Sequence, residues 1–162
     1  MSDGEARAAR PRTATLPVDD SIFFKLVRVV NLTARPFSES IGKAYHLSLN
    51  EWRVLLVLAN HPQVVGSEVA ALTGLDKMTV SRSLAALERR GRVVRKVDAT
   101  DRRRMLLRLS AAGERLYERI GLPAKARERS LFRGIAAAEQ AQLGRLLDRL
   151  LDNLLAADPG QA

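Results

Sequence analysis

The sequence predicts a mainly α-helical fold that carries one small β-hairpin. Apolar residues recur at helical spacing over most of the chain. Only two short runs have β character, residues 92–97 and 104–109, and a polar loop separates them. Aromatic residues make up 4% of the chain, so the core must consist of Leu, Val, Ala and Ile side chains. The 162 residues suffice for one globular domain with helical extensions.

Three helical segments are predicted in the first third of the chain. A first helix begins near Ser21, and Pro36 is expected to kink or break it. A second helical piece follows through Tyr45. Ser48 and Glu51 have the spacing of a capping box, which opens the third helix.

Two helices joined by a tight turn are predicted next. Ser67 is expected to cap the first of them, and Gly74 lies in the turn. Asp76 caps the second helix, which should run to Arg90 and stop at Gly91. This order is typical of a helix-turn-helix motif, whose second helix enters the major groove of DNA.

Two more helices are predicted after the hairpin. Ser110 caps a long helix, which Gly121 and Pro123 should loosen or bend. A final helix follows Gly134 and carries a broad leucine stripe. The stripe could be an ordinary core face, but self-association explains its position at the chain end better. The predicted dimerisation residues are Leu143, Leu147, Leu150, Leu151 and Leu154.

Positive charge is concentrated in the middle of the chain. The chain has 27 Lys and Arg against 18 Asp and Glu, a net charge of +9. Residues 77–108 hold 11 of the bases and 3 of the acids, so this window alone carries 11 − 3 = +8. Such an excess favours a polyanionic partner, nucleic acid or an anionic membrane surface.

The helix after the predicted turn has two distinct faces. At about 100° per residue, Val80, Leu84 and Leu87 cluster on one side and are expected in the core. The opposite face is small, hydroxylated or basic, which suits a helix in the major groove. An ordinary solvated helix is the alternative, but only Glu88 supplies an acid there. The predicted DNA-binding residues of this helix are Lys77, Met78, Thr79, Ser81, Arg82 and Arg89.

The hairpin loop holds three consecutive arginines, Arg102, Arg103 and Arg104. An exposed β-loop with clustered Arg can enter a minor groove, where the potential is most negative. The alternative is a solubilising loop that protects a two-stranded ribbon. Because the loop follows a candidate recognition helix, we favour the DNA-binding interpretation.

Residues 47–113 hold several short motifs in a fixed order. These motifs are Leu49-Asn-Glu-Trp-Arg-Val-Leu55, Val80-Ser-Arg82, Leu87-Glu-Arg-Arg-Gly91, Asp98-Ala-Thr-Asp101-Arg-Arg103, Leu109-Ser110 and Gly113. The fourth has the form D-x-x-D-x-R and is the most specific. In this order the motifs resemble the MarR family of winged-helix regulators. The flanking helices extend the resemblance to roughly residues 20–156.

The resemblance implies roles for individual residues. Arg103 matches the wing arginine that reaches into the minor groove, and Asp101 matches the acid that orients it. Residues 77–82 match the part of the recognition helix that contacts bases and phosphates. The first and last helices match a dimerisation region. Arg92 departs from the family, which usually has an apolar residue at that position.

Tyr45, His46 and Trp52 form an aromatic and polar cluster. The simpler interpretation is that Trp52 packs under the DNA-binding lobe. The functional alternative is an effector pocket between the first, second and fifth helices, where regulators of this family commonly bind small molecules, here an aromatic or phenolic compound.

Several other functions find no support. The chain has no Cys, which excludes disulfides, thiolate metal sites and Cys nucleophiles. His46 and His61 are the only histidines, and neither has metal-ligand spacing to another His or to an acid pair. We therefore expect no catalytic residues, no metal and no cofactor. The start of the chain has no apolar segment typical of a secretory signal, and no run is long enough to span a membrane, so a cytoplasmic protein is expected.

The sequence thus predicts a winged helix-turn-helix regulator that binds duplex DNA as a homodimer and is not an enzyme. Its expected action is repression at a palindromic operator, relieved by a small-molecule effector. The alternatives are a ligand-independent DNA-binding protein or an activator, and an adaptor that docks an acidic protein. The predicted regions are a tail at 1–18, a dimerisation helix region at 19–46, the DNA-binding lobe at 47–110, helices completing the dimerisation region at 111–156 and a tail at 157–162.

Overall fold

The computed structural model describes residues 18 and 20–157 of the chain. The predicted tails at 1–18 and 157–162 lie outside these residues, apart from Val18 and Ala157. The described elements, in chain order, are α1 (Ile22–Phe37), a π-helical segment (Ser38–Gly42), α2 (Lys43–Tyr45), α3 (Leu49–Asn60), α4 (Gly66–Thr73), α5 (Lys77–Arg89), β1 (Val93–Val97), β2 (Met105–Leu109), α6 (Ala111–Leu131) and α7 (Ala137–Ala157). The prediction of a mainly helical fold with one small β-hairpin is confirmed.

The core lies where α3, α4, α5, the hairpin and the first half of α6 meet. As predicted, Val80, Leu84 and Leu87 turn the apolar side of α5 into it. Burial of these aliphatic side chains is the main force that holds the helices together. The largest fully buried side chains are Leu55, Leu58, Leu87, Leu107, Ile120, Val54, Val69 and Val80.

The two strands form an antiparallel hairpin, the wing. Val93 pairs with Leu109 at its base, and Val97 pairs with Met105 next to the loop. A bridge between Val64 and Leu107 joins the segment before α4 to β2. Because the α3–α4 connection and β2 share hydrogen bonds, the wing is fastened to the helix-turn-helix as well as to α6.

Pro36 does not break the first helix, so of the two predicted outcomes, a kink or a break, the break was wrong. The helix runs through Pro36 to Phe37 and continues in the wider π-helical geometry from Ser38 to Gly42. A proline removes one backbone donor, and the change to π-helical spacing lets the carbonyls near it find other partners. The Ser40 hydroxyl donates to the Pro36 carbonyl at 2.6 Å.

One further sequence expectation needs correction. Helix α4 begins at Gly66 with Val65 as its N-cap, and the Glu68 carboxylate accepts the Val65 N–H at 2.9 Å, so Ser67 is not the cap. Helix α6 is continuous from Ala111 to Leu131, across both Gly121 and Pro123. A long helix packed on a core tolerates such residues because tertiary contacts outweigh local propensity.

Helix α6 begins in close contact with the base of the wing. The Ser110 hydroxyl caps the helix by accepting the Gly113 N–H at 3.1 Å, and it donates to the Gly91 carbonyl at 2.6 Å. A Cβ added at Gly113 would lie 2.0 Å from the Arg92 carbonyl oxygen, far inside van der Waals contact. Only glycine therefore lets the helix approach the wing this closely.

Gly113→Ala should lower the free energy of unfolding by about 3 kcal/mol or more, because backbone on both sides must move apart. The matched control is Gly121→Ala in the same helix, where the added Cβ meets nothing within 4 Å. That control should be neutral or stabilising by about 1 kcal/mol. Urea unfolding of both variants checks the difference, and equal stabilities would contradict the close approach at Gly113.

Helices α1 and α7 leave many apolar side chains uncovered. Ile22 and Phe23 of α1 are 74% and 75% exposed. The predicted dimerisation residues of α7 are all exposed in this single chain, from 38% at Leu143 to 67% at Leu154. Along residues 18 and 20–157, no helix is both long and apolar enough to cross a membrane. Apolar faces of this extent are typical of surfaces that bind another protein chain.

Candidate nucleic-acid interface

The turn between α4 and α5 is built as the sequence predicts. Gly74 adopts a left-handed conformation with φ of 66°, which glycine reaches without strain. Asp76 caps α5: its carboxylate accepts the Thr79 N–H at 2.8 Å and the Thr79 hydroxyl at 2.6 Å. These bonds, the hydroxyl bond foremost, lower the pKa of Asp76, so the cap stays charged at neutral pH.

The face of α5 opposite the core is open to solvent. Met78 is 61% exposed, and Thr79 is half-buried, with its hydroxyl already donated to Asp76. Among the described residues, the exposed cations of this face take part in no ion pair. The predicted residues that lie fully on the exposed face are Lys77, Met78, Ser81, Arg82 and Arg89.

The wing loop is folded around two aspartates. The Asp98 carboxylate accepts both the N–H and the hydroxyl of Thr100 at 2.8 Å. These bonds, led by the backbone N–H, lower the pKa of Asp98. The Asp101 carboxylate accepts the Arg103 backbone N–H at 3.0 Å. The two acids of the D-x-x-D-x-R motif therefore shape the backbone of the loop.

The three wing arginines differ in their surroundings. Arg102 and Arg103 are exposed, and within residues 18 and 20–157 neither forms an ion pair. Asp101 contacts Arg103 through the main chain, so any orientation of the guanidinium by this acid acts through the shape of the loop. Arg104 instead lies 3.3 Å from the Glu68 carboxylate of α4. Its charge is partly neutralised, so Arg102 and Arg103 are the better candidates for DNA contacts.

Two ion pairs join α5 and its C-terminal cap to their surroundings, and sequence reasoning missed both. Arg95 of β1 pairs with Glu88 of α5. The Arg90 guanidinium lies 2.9 Å from the Glu51 carboxylate, which is buried. The other oxygen of Glu51 accepts the Ser48 N–H at 2.8 Å, as the predicted capping box requires. The sequence around Glu51 indicates its capping role only, because its ion-pair partner Arg90 lies 39 residues further along the chain.

Arg92, the departure from the family pattern, has a role of its own. Its guanidinium donates to the Tyr45 carbonyl at 2.5 Å and to the His46 carbonyl at 3.4 Å. Burial, followed by the nearby positive charge of Arg90, lowers the pKa of Arg92. The side chain thus ties the start of the wing to the C-terminus of α2, while Val93 buries the strand.

The predicted effector cluster is split by the fold. Trp52 is buried and stacks between Phe37 and Tyr117, with ring centroids 6.2 and 5.9 Å away. It forms part of a mostly apolar cleft of about 630 Å³ between α1, α3 and α6. Tyr45 lines a different pocket, and His46 is exposed with a left-handed backbone, so neither of these two predicted residues lines the Trp52 cleft. Phe37, Ile41 and Leu56 line the cleft instead.

Comparison with known proteins shows that this chain is similar to transcriptional regulators. Residues 46–104 match the model of the MarR family. FarR, an HTH-type transcriptional regulator of Neisseria gonorrhoeae, is 31% identical over 101 residues, which cover 62% of this chain and 68% of FarR. The homoprotocatechuate degradative operon repressor of Escherichia coli is 25% identical over 118 residues, which cover 73% of this chain and 80% of the repressor.

Solved structures of transcriptional regulators resemble this chain in both fold and sequence. CouR from Rhodococcus jostii RHA1, crystallised with p-coumaroyl-CoA, superimposes with a TM-score of 0.76 and 27% identity. The superposition covers 85% of this chain and 96% of CouR. Residues 46–104, which match the family model, contain the helix-turn-helix and the wing loop described above. The chain belongs to the MarR family of winged helix-turn-helix transcriptional regulators.

Proposed function

We propose that this protein is a homodimeric repressor that binds a palindromic operator and leaves it when a small aromatic effector binds. The observation that carries the proposal is a pair of basic elements, Lys77 and Arg82 on α5 and Arg102 and Arg103 on the wing. None of these side chains forms an ion pair within residues 18 and 20–157. A helix with small and basic residues fits the major groove, and the adjacent arginine loop fits the minor groove. The repressor from Escherichia coli supports the choice of repression.

A salt series of band shifts with duplex DNA tests the proposed binding. Contacts to phosphates release counterions, so the affinity should fall steeply as salt rises. An adaptor that docks acidic proteins would bind heparin and acidic polypeptides as well as it binds operator duplex. The operator duplex should instead outcompete scrambled duplex by roughly 10³-fold or more.

The two exposed apolar helices support a dimer. The uncovered faces of α1 and α7 are contributed by the two ends of the described chain. An interface made by the same surface on both copies has two-fold symmetry, so the two recognition helices face the DNA as a symmetric pair. This arrangement defines the expected operator.

The operator should be a pseudo-palindrome whose half-sites lie about one helical turn, roughly 10 base pairs, apart. DNase footprinting on the promoter fragments that the protein retains checks this spacing. Protection of a single asymmetric half-site, with one protomer bound per site by mass photometry, would contradict the symmetric dimer.

The Trp52 cleft is the proposed effector site. Its wall is mostly apolar, and its charged lining residues are two cations, Arg53 and Arg127, and one acid, Glu128. Arg127 also donates to the Thr33 carbonyl, so it connects α6 with α1. A flat ring fits the apolar wall and a carboxylate or thioester fits the cations. The ligand of CouR, an aromatic acyl thioester, supports this class.

Trp52 should report the effector. It is the only tryptophan of the chain, so the intrinsic tryptophan fluorescence arises from this one site. Adding the aromatic acid that releases DNA should change its intensity or emission maximum, and half-saturation should coincide in the fluorescence and band-shift titrations. Arg53→Ala should weaken both together, on the order of 10-fold. An effector that releases DNA without changing Trp52 emission would place the site elsewhere.

A further inference from the structure

A second, smaller pocket lies at the base of the wing. Its volume is about 260 Å³, several times that of a water molecule. Four of its seven lining side chains are arginines contributed by three parts of the fold. The pocket is lined by Tyr45, Arg90, Arg92, Ala112, Arg115, Leu116 and Arg119.

The positive charges of this pocket are poorly balanced. Glu51 pairs with Arg90, and its second oxygen is used by the Ser48 N–H. Arg92 donates to two neutral backbone carbonyls. In the part of the chain that the structure describes, Arg115 and Arg119 take part in no ion pair. Among the described residues, Arg90 is therefore the only one of the four pocket arginines that is paired with a carboxylate.

The spacing of the arginines makes this arrangement unfavourable without a counterion. Arg115 and Arg119 are four residues apart, so they lie on one side of α6 together with Ala112 and Leu116. Like charges at this spacing destabilise a helix. Burial and the charge of Arg90 act on Arg92 in the same direction, as its lowered pKa shows. The fold thus gathers positive charge where a bound anion would relieve the repulsion.

The length of the hairpin separates this pocket from the arginine loop of the wing. Arg92 precedes β1 at the end of the hairpin that joins α6, and the arginine loop lies at the other end. Five strand residues span roughly 17 Å at about 3.3 Å per residue. The arginines of the pocket therefore lie too far from the wing tip to share its phosphates.

We propose that this pocket binds a phosphate-class dianion, as free phosphate or as the phosphoryl group of a small metabolite. Guanidinium groups bind phosphate through paired hydrogen bonds. Ala112 belongs to the first turn of α6, a helix of 21 residues, so the positive end of the helix dipole adds to the field. The bound anion joins α2, the end of α5 and the start of α6, and so fastens the DNA-binding lobe to the helical region.

Thermal unfolding of the full chain without DNA tests this site. Inorganic phosphate and adenosine monophosphate are titrated separately, and chloride keeps the ionic strength constant. At roughly ten times the dissociation constant, the midpoint should rise by about 3–6 °C. At equal concentrations of the two ligands, a larger shift with the nucleotide identifies a phosphorylated metabolite, and equal shifts identify the phosphate group alone as the determinant. No shift with either anion would overturn the proposal.

Two double variants that remove the same amount of charge test whether the phosphate-induced rise in midpoint depends on this pocket. Arg115→Gln with Arg119→Gln should abolish the shift and leave the unliganded midpoint unchanged or higher, because a repulsion is removed. Arg129→Gln with Arg133→Gln removes two exposed cations outside the pocket and should keep the full shift. If the first double variant does not fold, each single variant should weaken phosphate at least 10-fold. A shift that persists without Arg115 and Arg119 would refute the site.

Two outcomes separate this proposal from the proposed function. Arg103→Ala should lose DNA affinity but keep the phosphate shift, since its side chain lies at the wing tip. If the Arg115 and Arg119 variant instead weakens dimerisation and phosphate has no effect on the parent chain, an acidic segment of a second copy fills the pocket. That result would overturn the anion site and leave the DNA-binding proposal standing.

Discussion

Replacing Leu147 and Leu151 with Glu should convert the proposed dimer into a folded monomer. Both side chains are exposed in the single chain, at 38% and 57%, so the substitutions remove no contact within its core. Burial of a leucine contributes about 1.5–3 kcal/mol, and a two-fold interface contains each residue twice. Four lost leucines and four buried carboxylates should therefore raise the dissociation constant by at least 10⁴-fold. Sedimentation velocity over a concentration series measures this change.

The matched control puts the same new residues on the other side of α7. At about 100° per residue, Ala141 and Arg145 lie opposite the leucine stripe, and both are exposed. Ala141→Glu with Arg145→Glu should leave the dissociation constant within about 10-fold of the parent value. A folded dimer of parental affinity after the leucine substitutions would refute α7 as the interface. Loss of the dimer in the control as well would indicate a general effect of charge.

The elements with strong local signals could be predicted from the sequence. Asp76, Ser48 and Ser110 each place an acceptor opposite an unpaired helix N–H, and all three cap the helices that were expected. The apolar side of α5 and both strands of the wing also follow from periodicity alone. The caps and the apolar side of α5 depend on neighbours within about four residues, and the two strands on the short loop that joins them, so the local sequence contains the information.

Local sequence patterns predicted less where distant parts of the chain decide the structure. Tyr45 and Trp52 are seven residues apart in sequence, but the left-handed turn at His46 sends them to different pockets. Arg104 looked equivalent to Arg103 until the fold brought Glu68 to its guanidinium. Pro36 usually ends a helix, and here the chain changes to π-helical geometry instead. No local pattern encodes these outcomes.

The role of Arg92 also depends on contacts that the local sequence does not indicate. A charged residue at the start of a buried strand conflicts with the apolar pattern of the family. The structure resolves the conflict because the guanidinium reaches two carbonyls of a segment 46 and 47 residues earlier in the chain. Long polar side chains can leave a strand this way while their neighbours stay buried. The same reach places Arg92 in the arginine pocket.

Arg82→Ala should weaken operator binding selectively. Arg82 is exposed on α5, next to Ser81 and one turn after Met78, where a helix in the major groove presents side chains to base edges. A bidentate contact from Arg to guanine contributes about 1–3 kcal/mol of discrimination. Operator affinity should therefore fall by roughly 5–150-fold. Binding to scrambled duplex should change by less than about threefold.

Arg103→Ala should weaken both kinds of binding together. The side chain extends from a loop whose backbone is held by Asp98 and Asp101, so it can be removed without loss of those bonds. Contacts in a minor groove depend on its width and its negative potential more than on base identity. If Arg103 also neutralises one phosphate in each half-site, the slope of log affinity against log salt should fall by about one unit per half-site.

Binding of each variant to operator and to scrambled duplex, across a salt series, separates the two roles. Circular dichroism melts come first, and both variants should match the parent because neither side chain is buried or ion-paired among the described residues. Arg129→Ala is the matched control, since it removes an exposed arginine of α6 that lies outside both basic elements. If Arg103→Ala reduced operator binding alone while Arg82→Ala reduced both equally, the wing would read sequence and α5 would bind the backbone, the reverse of the roles assigned here.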